Sequence, residues 1–144
     1  MTYITHSESE TEALGAEFAR KLAPGAVAAM YGELGCGKTA FVRGMARGLG
    51  LDCLVNSPTF TIVNEYETAG AAMSLFHFDM YRLSSADELY DIGWEDYLAR
   101  GGVCAVEWSE NVEGAFEGDE YIVRFRKLSD TDREITVEGG ATSC

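Results

Sequence analysis

Gly32-Glu33-Leu34-Gly35-Cys36-Gly37-Lys38-Thr39 has the G-x-x-x-x-G-K-T spacing of a phosphate-binding loop. Its flanks decide whether the motif means anything. Ala26-Val27-Ala28-Ala29-Met30-Tyr31 before it is short, apolar and the right length for a buried strand. After it, Phe41, Val42, Met45, Ala46 and Leu49 fall on one side of a helix over 40–49. A strand, a glycine-rich turn and a helix in that order form the context the motif requires. The glycines let the backbone curl so that several N–H groups face a phosphate. The helix start adds the positive end of its dipole. Lys38 is expected to reach the outer phosphates and the Thr39 hydroxyl to sit on Mg²⁺.

Working outward, the 144 residues predict one domain over 1–144, with 47% hydrophobic content sufficient for a real core. The formal charge of −13 argues against nucleic acid held by this chain alone, because phosphate contacts need clustered Lys and Arg. An acidic surface suits solubility or docking onto a basic protein. No apolar stretch approaches membrane-spanning length, and the N-terminus lacks a basic region followed by an apolar core. Cys36, Cys53, Cys104 and Cys144 show no C-x-x-C pair and no zinc spacing, and read as reduced thiols. A cytoplasmic protein with no membrane contact is expected.

Ser7-Glu8-Ser9-Glu10-Thr11-Glu12 opens a first helix, with a capping box at Ser7/Glu10 or Ser9/Glu12. Leu14, Phe18 and Leu22 form its apolar stripe, and Pro24-Gly25 ends it. Thr61 to Glu67 and Met73 to Asp79 alternate as a β-hairpin turning near Gly70. Ser84-Ser85 caps a short helix, and 94–99 makes another. Val103-Cys104-Ala105-Val106-Glu107 is a second apolar strand. Tyr121 to Arg126 and Arg133 to Val137 form a last hairpin, read as structural. The chain thus mixes α/β units with antiparallel hairpins.

A phosphate loop needs an acid at a nearby strand end to hold Mg²⁺. Asp79 and Glu107 each end an apolar strand, and ligands of open α/β sheets collect at those carboxyl ends. One acid is expected to steady the metal and the other to polarise water, with the division open; either could instead pair with Arg82 or Arg100. His77 shares a strand face with Asp79 and either orients it, touches the site itself, or is an ordinary buried histidine. Trp108 is a packing residue or a wall of the pocket. Thr59, in Ser57-Pro58-Thr59-Phe60, and Thr61 could sense the terminal phosphate.

The phosphate loop, Ser57-Pro58-Thr59-Phe60, His77-Phe78-Asp79-Met80-Tyr81-Arg82-Leu83 and Glu107-Trp108-Ser109-Glu110, in this order and spacing, resemble the TsaE (YjeE) family of bacterial ATPases in tRNA threonylcarbamoyladenosine biosynthesis. The resemblance runs from the first helix to about Glu110. It implies a small P-loop NTPase-like, three-layer α/β fold with a mixed parallel and antiparallel central sheet. It implies ATP with Mg²⁺, hydrolysed to ADP. The nucleotide would lie on Gly32, Glu33, Leu34, Gly35, Cys36, Gly37, Lys38 and Thr39; Glu8 is expected beside the base because its helix feeds the loop strand. Lys38, Glu107 and Asp79 would be the catalytic set, Thr39, Glu107 and Asp79 the metal set, Thr59 the switch position, and Trp108 the family's tryptophan. The implied partners are the TsaB and TsaD proteins. TsaD transfers threonylcarbamoyl to adenosine 37 of tRNAs reading ANN codons, so tRNA would be reached only through the complex. Glu33 and Cys36 depart from the family's usual Asp and Ala, and Cys36 offers phosphate only its backbone N–H.

Three other readings compete. A metabolite kinase needs an acceptor pocket and an arginine lid, and no insertion here is long enough for a lid domain. A GTPase carries an N/T-K-x-D segment, and Lys127-Leu128-Ser129-Asp130 follows Arg126, which is wrong at the first position. A nucleotide-gated assembly factor would bind ATP without needing hydrolysis.

Overall fold

A computed structural model describes residues 1–32, 37–51, 63–67, 73–116 and 118–139. The described strands form one seven-stranded mixed sheet. In chain order they are β1 (Thr2–Thr5), β2 (Val27–Tyr31), β3 (Val63–Tyr66), β4 (Leu75–Asp79), β5 (Val103–Glu107), β6 (Tyr121–Lys127) and β7 (Arg133–Gly139). Their order across the sheet is β1-β7-β6-β2-β5-β4-β3. β2 pairs in parallel with both β5 and β6, and β5 with β4. The hairpins β3–β4 and β6–β7 are antiparallel, as their alternation predicts. β1 is a strand that the sequence reading did not anticipate. Four residues carry too little pattern, and β1 exists because β7 offers it an edge, in the register Thr2↔Thr136 to Thr5↔Arg133. Two antiparallel steps separate β1 from β6, so β1, β6, β2, β5 and β4 all run the same way. Their carboxyl ends therefore share one edge of the sheet.

Helices cover both faces. α1 (Glu8–Arg20) and α2 (Lys38–Gly48) lie on one, and α3 (Ala86–Asp91) and α4 (Trp94–Ala99) on the other. Period-two alternation sorts the strand residues between them. Leu75, Val103, Ala105, Met30 and Val123 join Phe41, Val42 and Met45 in one core, while Phe76, Phe78, Cys104 and Val106 join Leu89 and Trp94 in the other. The same alternation sends His77, Asp79 and Glu107 to the α2 face.

Ser7 caps α1: its Oγ accepts the Glu10 N–H at 3.1 Å, while the Glu10 carboxylate accepts the His6 N–H at 3.0 Å. The stripe on α1 is also narrower in side chain than predicted. Phe18 and Leu22 are buried, but Leu14 is only half-buried, and Thr11, Gly15, Ala16 and Ala19 complete the face. Those small residues let α2 come close. A Cβ on Gly15 would stand 2.2 Å from the Phe41 carbonyl oxygen, and one on Gly44 1.9 Å from that of Glu12. α1 thus holds α2, and the start of α2 is where the phosphate loop ends.

Candidate nucleotide-binding site

The carboxyl edge of the sheet opens into a cavity of about 440 Å³, within the roughly 300–1,000 Å³ typical of small-ligand sites. Lys38, Thr39 and Gly37 line it from the start of α2, and Asp79, Glu107 and Trp108 from the ends of β4 and β5. Gly37 caps α2 at φ 102°, a conformation glycine adopts without strain, and Gly32 has φ 147°. The first-turn N–H groups of α2 begin at this point, with no side-chain cap, so they are available to an anion. Lys38 is buried, and its ammonium donates to the Gly32 carbonyl. Its Nζ also lies 4.5 Å from the centroid of the Trp108 ring, a cation–π contact.

Asp79 and Glu107 are register partners on neighbouring parallel strands. β5 lies next to β2, so Glu107 is one strand nearer the phosphate loop than Asp79. Neither acid is paired with Arg100, which bonds Glu65 and Glu67 at 2.9 Å and stacks on Phe76. Burial pushes the Asp79 carboxyl above the usual carboxylate range; the Tyr81 N–H on its Oδ1, at 3.0 Å, opposes this, and the Glu107 charge adds to it. His77, fully buried, does not bond Asp79. Its Nε2 bonds the Glu107 Oε2, one strand away. The reason is geometric: the adjacent strand's diagonal neighbour on the same face is within reach of a long side chain.

Trp108 walls the cavity, as one of its two expected readings has it. It has φ 57°, the one positive-φ residue other than glycine among the described residues. An aromatic residue seldom adopts this conformation, and strain of this kind gathers at functional sites. The Tyr81 ring packs on it at 5.1 Å. Ser109 holds the bend. Its buried Oγ donates to the Val106 carbonyl at 2.7 Å and accepts the Met30 N–H at 3.1 Å, tying the end of β5 to the phosphate-loop strand. Asn111 donates to the Met80 carbonyl at 3.0 Å and so fixes the turn after Asp79.

Glu8 lines the same cavity, together with His6, Ser7 and Thr11, because β1 delivers the start of α1 to the carboxyl edge. Asp130, Thr131 and Arg133 line it too. The β6–β7 hairpin is therefore more than structural: β6 runs parallel to β2, so its turn arrives beside the start of α2. Arg43, one helical turn beyond Thr39, completes this side. Sequence reasoning missed Ser109, Asn111 and the β6–β7 turn, since no local pattern marks residues joined only by topology. The only hint was Ser109 standing beside the Glu107-Trp108 pair. Glu33, Leu34, Gly35, Cys36, Thr59 and Thr61 lie outside the described residues.

Three of the cavity's donors, the Thr39 hydroxyl and the Asp79 and Glu107 carboxylates, offer oxygen alone and suit a hard cation. Among the described residues no group of three or more His, Cys, Asp and Glu could enclose a metal by itself. An all-oxygen donor set is the kind Mg²⁺ takes, with one or two protein carboxylates and the rest of its shell from phosphates and water.

A family model described as "Threonylcarbamoyl adenosine biosynthesis protein TsaE" matches residues 5–135. A Bacillus subtilis (strain 168) protein named tRNA threonylcarbamoyladenosine biosynthesis protein TsaE is 39% identical over 136 residues, 94% of this chain and 84% of its own. One of the same name from Treponema pallidum (strain Nichols) is 37% identical over 137 residues, 95% of this chain and 99% of its own. The solved structure described as Bacillus subtilis YdiB superposes with a TM-score of 0.80 at 33% identity, covering 95% of this chain and 83% of that one. A matched model over nearly the whole chain, relatives of that similarity and the same fold make this chain a member of the TsaE family of threonylcarbamoyl adenosine biosynthesis proteins.

Proposed function

We propose that the chain is a Mg²⁺-dependent P-loop ATPase that serves threonylcarbamoyladenosine formation at position 37 of tRNAs reading ANN codons. It acts with the TsaB and TsaD proteins in the cytoplasm and leaves the transfer to them. One observation carries the ATPase reading. Lys38, Thr39, Asp79 and Glu107, from three separate elements, converge on one cavity at the start of α2. The names of the relatives support the pathway. The charge of −13 supports an accessory role, since an acidic chain is poorly suited to grip tRNA itself.

Lys38 and the α2 N–H groups would bind the phosphates. The Lys38 ammonium, now shared between the Gly32 carbonyl and the Trp108 ring, would turn to them. Thr39 and Glu107 would hold Mg²⁺, which when bound neutralises charge on the transferring phosphoryl group. Asp79, with its carboxyl held above the ordinary range, is suited to accept a proton from water. Glu8 and the β6–β7 turn would flank the nucleoside end, and Trp108 would exclude water.

The test is ATP hydrolysis by the purified chain, alone and with TsaB plus TsaD, beside Lys38→Ala and Glu107→Ala. Stimulation by the partners, lost in both variants, is expected. Hydrolysis indifferent to the partners, or intact in Lys38→Ala, overturns the reading. Phosphate transfer to a metabolite without partners would favour a kinase.

A further inference from the structure

His77 stands among apolar residues, Leu75-Phe76-His77-Phe78, in a strand whose one other polar residue is its last, Asp79, and it is fully buried. An imidazole there needs a reason, because an aliphatic side chain would fill the space without desolvating polar atoms. Packing alone is a poor reason. The ring's Nδ1 is buried and has no hydrogen-bond partner among the described residues, a defect that native cores mostly avoid. The ring's one bond goes from Nε2 to Oε2 of Glu107. The other oxygen, Oε1, makes no hydrogen bond among the described residues, and Glu107 lines the cavity that Lys38 and Thr39 also line. β4 and β5 set this in register. His77 faces Ala105, two residues before Glu107, so the small Ala105 side chain leaves room for the ring to reach diagonally.

We propose that His77 is a positioning residue for Glu107: it holds one carboxylate oxygen and so presents the other to the metal side of the nucleotide site. The inference rests on the nucleotide-site reading above. Glu107 ends a strand and would otherwise choose among several rotamers. A carboxylate fixed by a buried donor meets a Mg²⁺–nucleotide complex without first losing that freedom. His77 acts through Glu107 and touches neither nucleotide nor metal.

The experiment compares wild type, His77→Leu, His77→Gln, Glu107→Gln and the His77→Leu/Glu107→Gln double variant of the full chain. ATP affinity is measured by calorimetry with and without Mg²⁺, and folding by thermal unfolding. His77→Leu is expected to keep Mg²⁺-free ATP binding, which depends on Lys38. It should raise the Mg²⁺ concentration for half-maximal enhancement about tenfold or more, the usual effect of removing a residue that orients a metal ligand. Gln, whose amide nitrogen can stand where Nε2 stands, should restore most of the loss. In the Glu107→Gln background the Leu change should add little, since coupled residues are non-additive. A folded His77→Leu protein with wild-type Mg²⁺ dependence overturns the proposal. So does loss of Mg²⁺-free binding in step with lost stability, or full additivity in the double variant. If wild type shows no Mg²⁺ enhancement at all, the nucleotide-site reading itself fails, a result distinct from an unchanged His77→Leu.

Discussion

Ser109 shows how much of the site rests on single polar atoms. Its hydroxyl is the acceptor for a buried backbone N–H, that of Met30, in the strand that leads to the phosphate loop. Ser109→Ala should cost about 1–3 kcal/mol in chemical denaturation, the desolvation cost of one orphaned buried donor. Cys104 is a contrasting case. Burial pushes its thiol up to about 12, so the reactive thiolate is scarce. Folded protein at pH 8 should leave Cys104 unalkylated by iodoacetamide, and denaturant should release it, as peptide mass spectrometry can show. His6 and Asp132 form an exposed pair at 3.1 Å that joins the β1–α1 corner to the β6–β7 turn. The Asp132 partner raises the His6 pKa, and His6 lowers that of Asp132. The histidine's share of stability is whole below its unfolded value of 6.5 and is lost as pH rises through the raised one. The aspartate's share is present above 3.8 and lost as pH falls through its lowered one. The pair should therefore contribute most between those limits. His6→Gln should flatten the change in melting temperature above pH 6.5, and added salt should flatten it further.

At the scale of elements, the contact between α1 and α2 is what holds the start of α2 in place. It is made by glycines. A methyl group on Gly44 would meet the Glu12 carbonyl oxygen at 1.9 Å, which is backbone and cannot swing aside. Gly44→Ala should destabilise by about 3 kcal/mol, the upper part of the range for overpacking, measured by urea denaturation. Because the clash would push the helices apart, it should also weaken ATP binding, although Gly44 does not line the cavity. The apolar faces of α1 and α2 were legible at this scale, since a 3.6-residue period is a local property. The close approach was not. A glycine inside a helical pattern reads as a weakness until a second helix is brought against it. Likewise β1 has no signature of its own, and its pairing with β7 reaches across more than 130 residues of chain to Thr136.

For the whole molecule, the parallel strands collect five chain segments at one edge, and a ligand there should stabilise the fold. ATP with Mg²⁺ at one hundred times its dissociation constant should add about 2.7 kcal/mol. At roughly 3 °C per kcal/mol for a chain of this size, that is a rise of about 8 °C in a thermal scan. Lys38→Ala should lose the rise while folding normally. The charge of −13 sets a second expectation: the chain alone should not retard tRNA in a gel at physiological salt. No helix among the described residues is long and apolar enough to cross a membrane.

The strand before the G-x-x-x-x-G-K-T motif and the helix after it, the apolar stripe of that helix, the two strand-end acids and the antiparallel pairs were all determined by the sequence itself. Each depends on residues within a few positions of one another, where spacing alone sets which side chains share a face. Tertiary structure decided the partners. It brought the β6–β7 turn and the start of α1 to the start of α2, joined His77 to Glu107 rather than Asp79, and left Arg100 with Glu65 and Glu67. These outcomes depend on strand order and direction, which follow from how separate segments bury their apolar faces together, and no local period records that.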